Sequence, residues 1–153
     1  YLVLMIFSNV IFKYILPQDS SGGSSYKLKQ ISVFIASGIS ILGIAVLPII
    51  IPYLFPKYED AIIAIQITSL SIVPATIGFL YISKFLSLEK SKFILIGRII
   101  GLSTISLGMF ILPPYFDIVG VASAFVLSTF AQTIFFVLMY EKIKVKKEQN
   151  NQK

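Results

Sequence analysis

Long stretches without a charged side chain alternate with short polar stretches along this chain of 153 residues. Residues 31–56, 61–83 and 118–140 contain no Asp, Glu, Lys or Arg. Because a helix needs about 20 apolar residues to cross the roughly 30 Å hydrocarbon layer of a bilayer, each stretch is long enough to span it. Continuous apolar runs of this length favour helices over the short alternating strands of a barrel. The pattern therefore predicts an all-α, polytopic transmembrane helical bundle.

The same pattern predicts five membrane segments, which we name A to E. In chain order they are residues 1–16, 31–54, 60–86, 92–112 and 118–140. Residues 1–140 are thus expected to form the bundle, and residues 141–153 a polar cytoplasmic tail. Since proline cannot donate a backbone hydrogen bond, kinks are expected in segment C at Pro74 and near the end of segment B at Pro48 and Pro52.

The distribution of charge predicts how the segments are oriented. Lysines lie in the A–B and C–D loops and in the tail, whereas the B–C and D–E connections carry a single lysine, Lys57. Basic residues flank membrane helices on the cytoplasmic side, so we expect a multi-pass protein of the cell membrane with a cytoplasmic C-terminus. The same bias accounts for the net charge of +6, which therefore does not indicate binding to nucleic acid.

Several chemistries are made improbable by composition. The chain has no cysteine and no histidine, which removes thiolate ligands, the commonest metal ligand and the commonest general base. All seven acidic residues lie outside the uncharged runs, at Asp19, Glu59, Asp60, Glu89, Asp117, Glu141 and Glu148. We therefore expect no metal, no cofactor and no enzymatic active site within these segments.

Small residues recur at helical spacing in the last two segments. Segment E has Gly120, Ala124 and Ser128, each four positions apart, and segment D has Gly97 and Gly101. Small residues on one face let two helices approach closely in lipid. The pattern predicts that D and E pack together through these faces, although a row of small residues could also line a conduit.

Polar residues within the spans are the candidates for function. Arg98 lies inside segment D, and Lys13 shares a face of segment A with Asn9. These residues could line a water-filled cavity and attract an anionic substrate, or the two cations could extend to the lipid headgroups. Gln66 in segment C and Gln132 in segment E are uncharged candidates for the same cavity wall.

Three short stretches resemble a known family of transporters. Residues 54–61 (Leu-Phe-Pro-Lys-Tyr-Glu-Asp-Ala) resemble the stretch before a late membrane helix in polysaccharide-biosynthesis flippases of the MATE-like exporter superfamily. Residues 111–124 resemble that family's Ile-Pro, aromatic, Gly-Ile and Gly-Ala-Ala-x-Ala pattern, with Asp117 where the first glycine is usual and Val121 where an alanine is usual. Residues 88–92 resemble its short basic loop.

The resemblance implies a particular activity and partner. Such proteins have two lobes of helices around a central cavity and export lipid-linked oligosaccharide by alternating access. This chain, which opens at Tyr1, would then be most of a C-terminal lobe, with the lipid bilayer, the lipid-linked saccharide and an N-terminal lobe of the same protein as its partners. Two alternatives remain open: a multidrug or cation antiporter of the same superfamily, and a membrane scaffold or accessory subunit that transports nothing.

Overall fold

The computed structural model describes residues 26–54 and 56–151, and within them the side chains of residues 29–54, 56–58, 60–144 and 149. This part of the chain is helical and contains no strand, as the sequence predicts. Six α-helices and one 3₁₀ helix follow one another. They are α1 (Tyr26–Ala45), α2 (Leu47–Leu54), the 3₁₀ helix (Pro56–Ala61), α3 (Ile62–Ser69), α4 (Ile72–Ser87), α5 (Ser91–Ile111) and α6 (Pro113–Asn151).

Three helical stretches are long and apolar enough to cross a membrane: Ile62–Ser87, Ser91–Ile111 and Pro113–Lys144. A fourth span results if α1 and α2, which meet at a bend of 49°, are counted as one. The described residues therefore contain three or four spans, fewer than the five predicted, and segment A lies outside them. These spans are those of a multi-pass membrane protein.

The bend between α1 and α2 follows from Pro48. This residue has no N–H, so the carbonyl of Ile44, four positions earlier, loses its usual helical partner. The helix stops at Ala45, and a new one begins at Leu47 with Pro48 in its first turn, where an N–H is not needed. The predicted kink near the end of segment B is therefore a break in the helix.

Segment C is likewise two helices. The break falls at Leu70 and Ser71, whose N–H groups donate to the carbonyls of Ile67 and Thr68 at 3.0 Å, as in a 3₁₀ turn. In a helix, the ring of a proline clashes with the carbonyl four positions earlier, which for Pro74 is the carbonyl of Leu70. The proline that was expected to kink segment C thus breaks it one turn earlier.

Among the described residues, the antiparallel helices α5 and α6 form the most extensive helix–helix contact. Ala124 is fully buried between them, and a Cβ added to Gly108 would lie 2.7 Å from the Cβ of Ala124. Nearer the other end, a Cβ on Gly97 would overlap the ring of Phe136, which is also fully buried. Phe136 packs with Ile82 and Phe85 of α4, so the core joins all three helices.

Asp117 interrupts α6 near its start. Its φ of 46° and ψ of −128° lie where glycine is favoured and other residues are strained. The predicted start of segment E at residue 118 coincides with this break. Downstream of the predicted end at residue 140, the helix continues through the polar tail to Asn151.

The loop between α4 and α5 is closed by a Schellman motif. The N–H of Glu89 donates to the Leu86 carbonyl at 3.0 Å, and the N–H of Lys90 donates to the Phe85 carbonyl at 2.8 Å. This motif places Glu89 at a φ of 56°, the left-handed conformation that glycine adopts without a steric penalty.

Glu89→Gly should therefore raise the thermal unfolding temperature of the protein in detergent. The expected gain is about 1 kcal/mol, since the left-handed conformation costs a Cβ-bearing residue roughly that much. Glu141→Gly is the matched control, because it makes the same chemical change within helix α6, where glycine is unfavourable. An unfolding temperature lowered equally by both substitutions would contradict this account of the loop.

Candidate functional site

A groove of about 280 Å³ runs between α4, α5 and α6. We call it the Arg98 groove. Its apolar walls come from α4, α5 and α6, and its five polar side chains all lie on α5 and α6. These are Arg98, Ser128, Thr129, Gln132 and Thr133. The structure thus brings together Arg98 and Gln132, two of the residues that the sequence singled out as candidates for a cavity wall.

The hydroxyl groups of this groove already donate to the backbone. Ser128 Oγ donates to the Gly101 carbonyl across the α5–α6 contact at 2.7 Å. Thr129 Oγ1 donates to the Phe125 carbonyl within its own helix at 3.0 Å, and Thr133 Oγ1 donates to the Pro74 carbonyl of α4 at 2.8 Å. Each hydroxyl proton is therefore engaged, and these residues can offer a ligand only their oxygen lone pairs.

Arg98 and Gln132 differ from the hydroxyls because they have donors to spare. Gln132 Nε2 is buried and has no hydrogen-bond partner among the described residues. The Arg98 side chain is exposed in the structure, and the described part of the chain gives it no ion pair. A buried donor without a partner costs free energy, so Gln132 favours a ligand or water that accepts its hydrogen.

The groove is positively charged. Its lining contains the Arg98 guanidinium and no carboxylate. Arg98 lies seven positions into α5, about 10 Å along the helix from Ser91 at 1.5 Å per residue. A guanidinium at this depth, in a groove that also contains an unpartnered amide, is suited to an anion with several acceptor oxygens, such as a phosphate.

Gln66 is not in this groove. Its Nε2 donates at 3.0 Å to the carbonyl of Ile44, which is the carbonyl that Pro48 leaves without a helical partner. Gln66, which lies on a neighbouring helix, therefore supplies the hydrogen bond that the Ile44 carbonyl lacks at the break between α1 and α2. Asn9 and Lys13, the other two cavity candidates, lie outside the described residues.

All but one of the small residues singled out in segments D and E lie along the α5–α6 contact: Gly97, Gly101, Ala124 and Ser128. A Cβ on Gly101 would be 3.6 Å from Gln132 Cβ and from Ser128 Oγ, an ordinary contact distance, so Gly101 packs against both side chains and an alanine would also fit there. Gly120 lies instead against the turn that follows α5, where its Cβ would come within 2.6 Å of the Leu112 carbonyl.

Thr129 and Thr133 were not singled out from the sequence. Together with Ser128 and Gln132 they form a polar pattern that repeats after four positions, which places all four along one side of a helix. This repeat is a signal from which Thr129 and Thr133 could have been identified in the sequence.

Within the part of the chain that the structure describes, no group of three or more His, Cys, Asp or Glu side chains could hold a metal ion.

Comparison of the chain with protein-family models, with curated proteins and with solved structures finds no match.

Proposed function

We propose that this chain is part of a membrane transport protein, and that the Arg98 groove holds the anionic headgroup of its lipid substrate. The observation that carries this proposal is a groove between membrane-spanning helices whose lining has one guanidinium, one unpartnered amide donor and no carboxylate. A charge within a span is costly, by about 3 kcal/mol or more at the bilayer centre, and such residues commonly mark substrate pathways.

The finer proposal comes from the resemblance of residues 54–61 and 111–124 to polysaccharide-biosynthesis flippases. In that case the chain has five spans in a C-terminal lobe and exports a lipid-linked oligosaccharide by alternating access with an N-terminal lobe. The positive φ of Asp117 supports this alignment, because the family usually has glycine at that position. The phosphates that join sugar to lipid would be the groups bound by Arg98 and Gln132.

A non-transporting scaffold is the alternative that one observation favours. Gln66, a polar residue within a span, donates to the Ile44 carbonyl and so stabilises the fold. If the same held for Arg98 and Gln132, the groove would be filled by another helix and would bind no ligand. A cation antiporter has less support, because the lining of the groove contains no carboxylate to exchange a cation.

Headgroup selectivity tests the proposed function. The intact protein, purified in a nonionic detergent, should bind dihexanoyl phosphatidate at least about tenfold more tightly than dihexanoyl phosphatidylcholine, because the quaternary ammonium offsets the phosphate charge that Arg98 would pair with. Isothermal titration calorimetry measures both affinities. Equal affinities for the two lipids would favour the scaffold.

The proposed orientation is tested separately by single cysteines, since the chain has none of its own. Cysteines in place of Lys57 and Asp117 should react in intact cells with a membrane-impermeant thiol reagent. Cysteines in place of Lys27, Lys90 and Lys146 should react only after the membrane is permeabilised. Labelling of positions 27 and 90 from outside would contradict the proposed orientation and show that the bundle is inserted the opposite way.

A further inference from the structure

The break between α3 and α4 is held by hydroxyl groups from two neighbouring helices. On the α3 side, Ser40 Oγ of α1 donates to the Ser69 carbonyl at 2.8 Å. On the α4 side, Thr133 Oγ1 of α6 donates to the Pro74 carbonyl at 2.8 Å. Both hydroxyl residues are buried. Because lipid supplies no substitute donor, each bond fixes one side of the break to a different helix.

Of these two hydrogen bonds, only the one from Thr133 lies at the Arg98 groove. Thr133 follows Gln132 in the chain and lines the groove itself, whereas Ser40 does not line it. On the other helix, Pro74 directly precedes Ala75, and both Ala75 and Gly78 belong to the α4 wall of the groove.

The approach of α4 to α6 at this point is close. A Cβ added to Gly78 would lie 3.1 Å from Thr133 Oγ1, so no larger residue fits there without displacement. Pro74 and Gly78 are one helical turn apart and both are buried. The Thr133 hydroxyl therefore contacts α4 over the turn that begins the groove wall, immediately after the break.

We infer that Thr133 is a positioning residue: its hydrogen bond to the Pro74 carbonyl fixes the direction of α4 after the break and so holds the α4 wall of the groove at the spacing that an anionic headgroup requires. The inference rests on the proposed function of the groove. Thr133 acts through α4 and donates its hydroxyl proton to the backbone, so it does not itself donate to the ligand.

Three variants test this role. Thr133→Val keeps the shape and removes the hydrogen bond, Thr133→Ser keeps the hydroxyl, and Ser40→Ala removes the corresponding bond on the other side of the break. The affinity of each intact variant for dihexanoyl phosphatidate and its unfolding temperature are measured in the same detergent. Thr133→Val should bind about fivefold more weakly, the effect expected from one interhelical hydrogen bond.

The controls separate positioning from stability. Thr133→Ser should bind with nearly the wild-type affinity, and Ser40→Ala should lower the unfolding temperature without weakening binding. Wild-type affinity in Thr133→Val would overturn the inference while leaving the proposed function intact. Equal weakening by Thr133→Val and Ser40→Ala would also overturn it, because general destabilisation would then explain the loss. A wild-type protein that shows no preference for phosphatidate would contradict the proposed function itself.

Discussion

Ala124→Leu should prevent α5 and α6 from packing as they do in the native bundle. Ala124 is fully buried, and its Cβ is only 2.7 Å from the position that a Cβ on Gly108 would occupy. Three extra carbon atoms at this contact must displace one helix. Overpacking of a core commonly costs about 1–3 kcal/mol, and here the backbone itself is the obstacle. We expect a clear fall in unfolding temperature and a reduced amount of protein in the membrane.

Ala45→Leu provides the matched control for this prediction. It makes the same chemical change at a residue that is exposed at the end of α1. Its unfolding temperature in detergent should stay close to that of the unsubstituted protein, since apolar side chains are tolerated on a lipid-facing surface. Indistinguishable unfolding temperatures for Ala124→Leu and Ala45→Leu would show that the contact at Gly108 does not limit the approach of the helices.

The helical class and most segment boundaries could be predicted because both depend on local sequence. Length and apolarity define the spans, and predicted segment D at residues 92–112 differs by one residue at each end from α5, Ser91–Ile111. Pro48 and Pro74 also signalled breaks, since a missing N–H is a local property, whereas Pro52, where a kink was expected too, lies inside the continuous helix α2. The exact place of the break in segment C was not predicted, because the strain falls on the turn before Pro74 and not on the proline.

The role of Gln66 could not be predicted in the same way. From sequence, Gln66 and Gln132 are equivalent: each is an amide within an apolar span. The structure separates them because the Ile44 carbonyl, freed by Pro48 on another helix, lies within 3.0 Å of Gln66 Nε2. Gln132 has no such partner among the described residues. Which polar residue is structural depends on a contact between distant parts of the chain, and a single sequence does not reveal it.

The candidate groove was predictable in its charge and not in its shape. A guanidinium inside a span is visible in the sequence, and its cost already suggested an anionic partner or water. The wall formed by Ala75 and Gly78 depends on the direction of α4 after its break, and so on the bond between Thr133 and Pro74. Small residues at helical spacing indicated close packing, but they did not reveal that Gly101 packs against Ser128 and Gln132 in the lining of the groove.

On the proposed flippase function, Arg98→Gln should strongly reduce transport of lipid-linked saccharide while leaving the abundance of the protein in the membrane unchanged. The substitution keeps hydrogen-bond donors and removes the only full charge in the lining of the groove. A hydrogen bond to a charged group contributes about 1.5–3 kcal/mol, so a reduction of roughly tenfold or more is expected. Stability should change little, because Arg98 has no ion pair within the described part of the chain.

Lys92→Gln is the control for the loss of charge at Arg98. Lys92 lies in the first turn of α5, is exposed, and does not line the groove. Accumulation of the lipid-linked saccharide on the cytoplasmic leaflet measures transport, and immunoblotting of the membrane fraction measures abundance. Accumulation in Arg98→Gln but not in Lys92→Gln would assign the effect to the groove. Normal transport in both variants would mean that Arg98 serves only to reach the lipid headgroups, since a snorkelling arginine can be replaced without loss of a substrate contact.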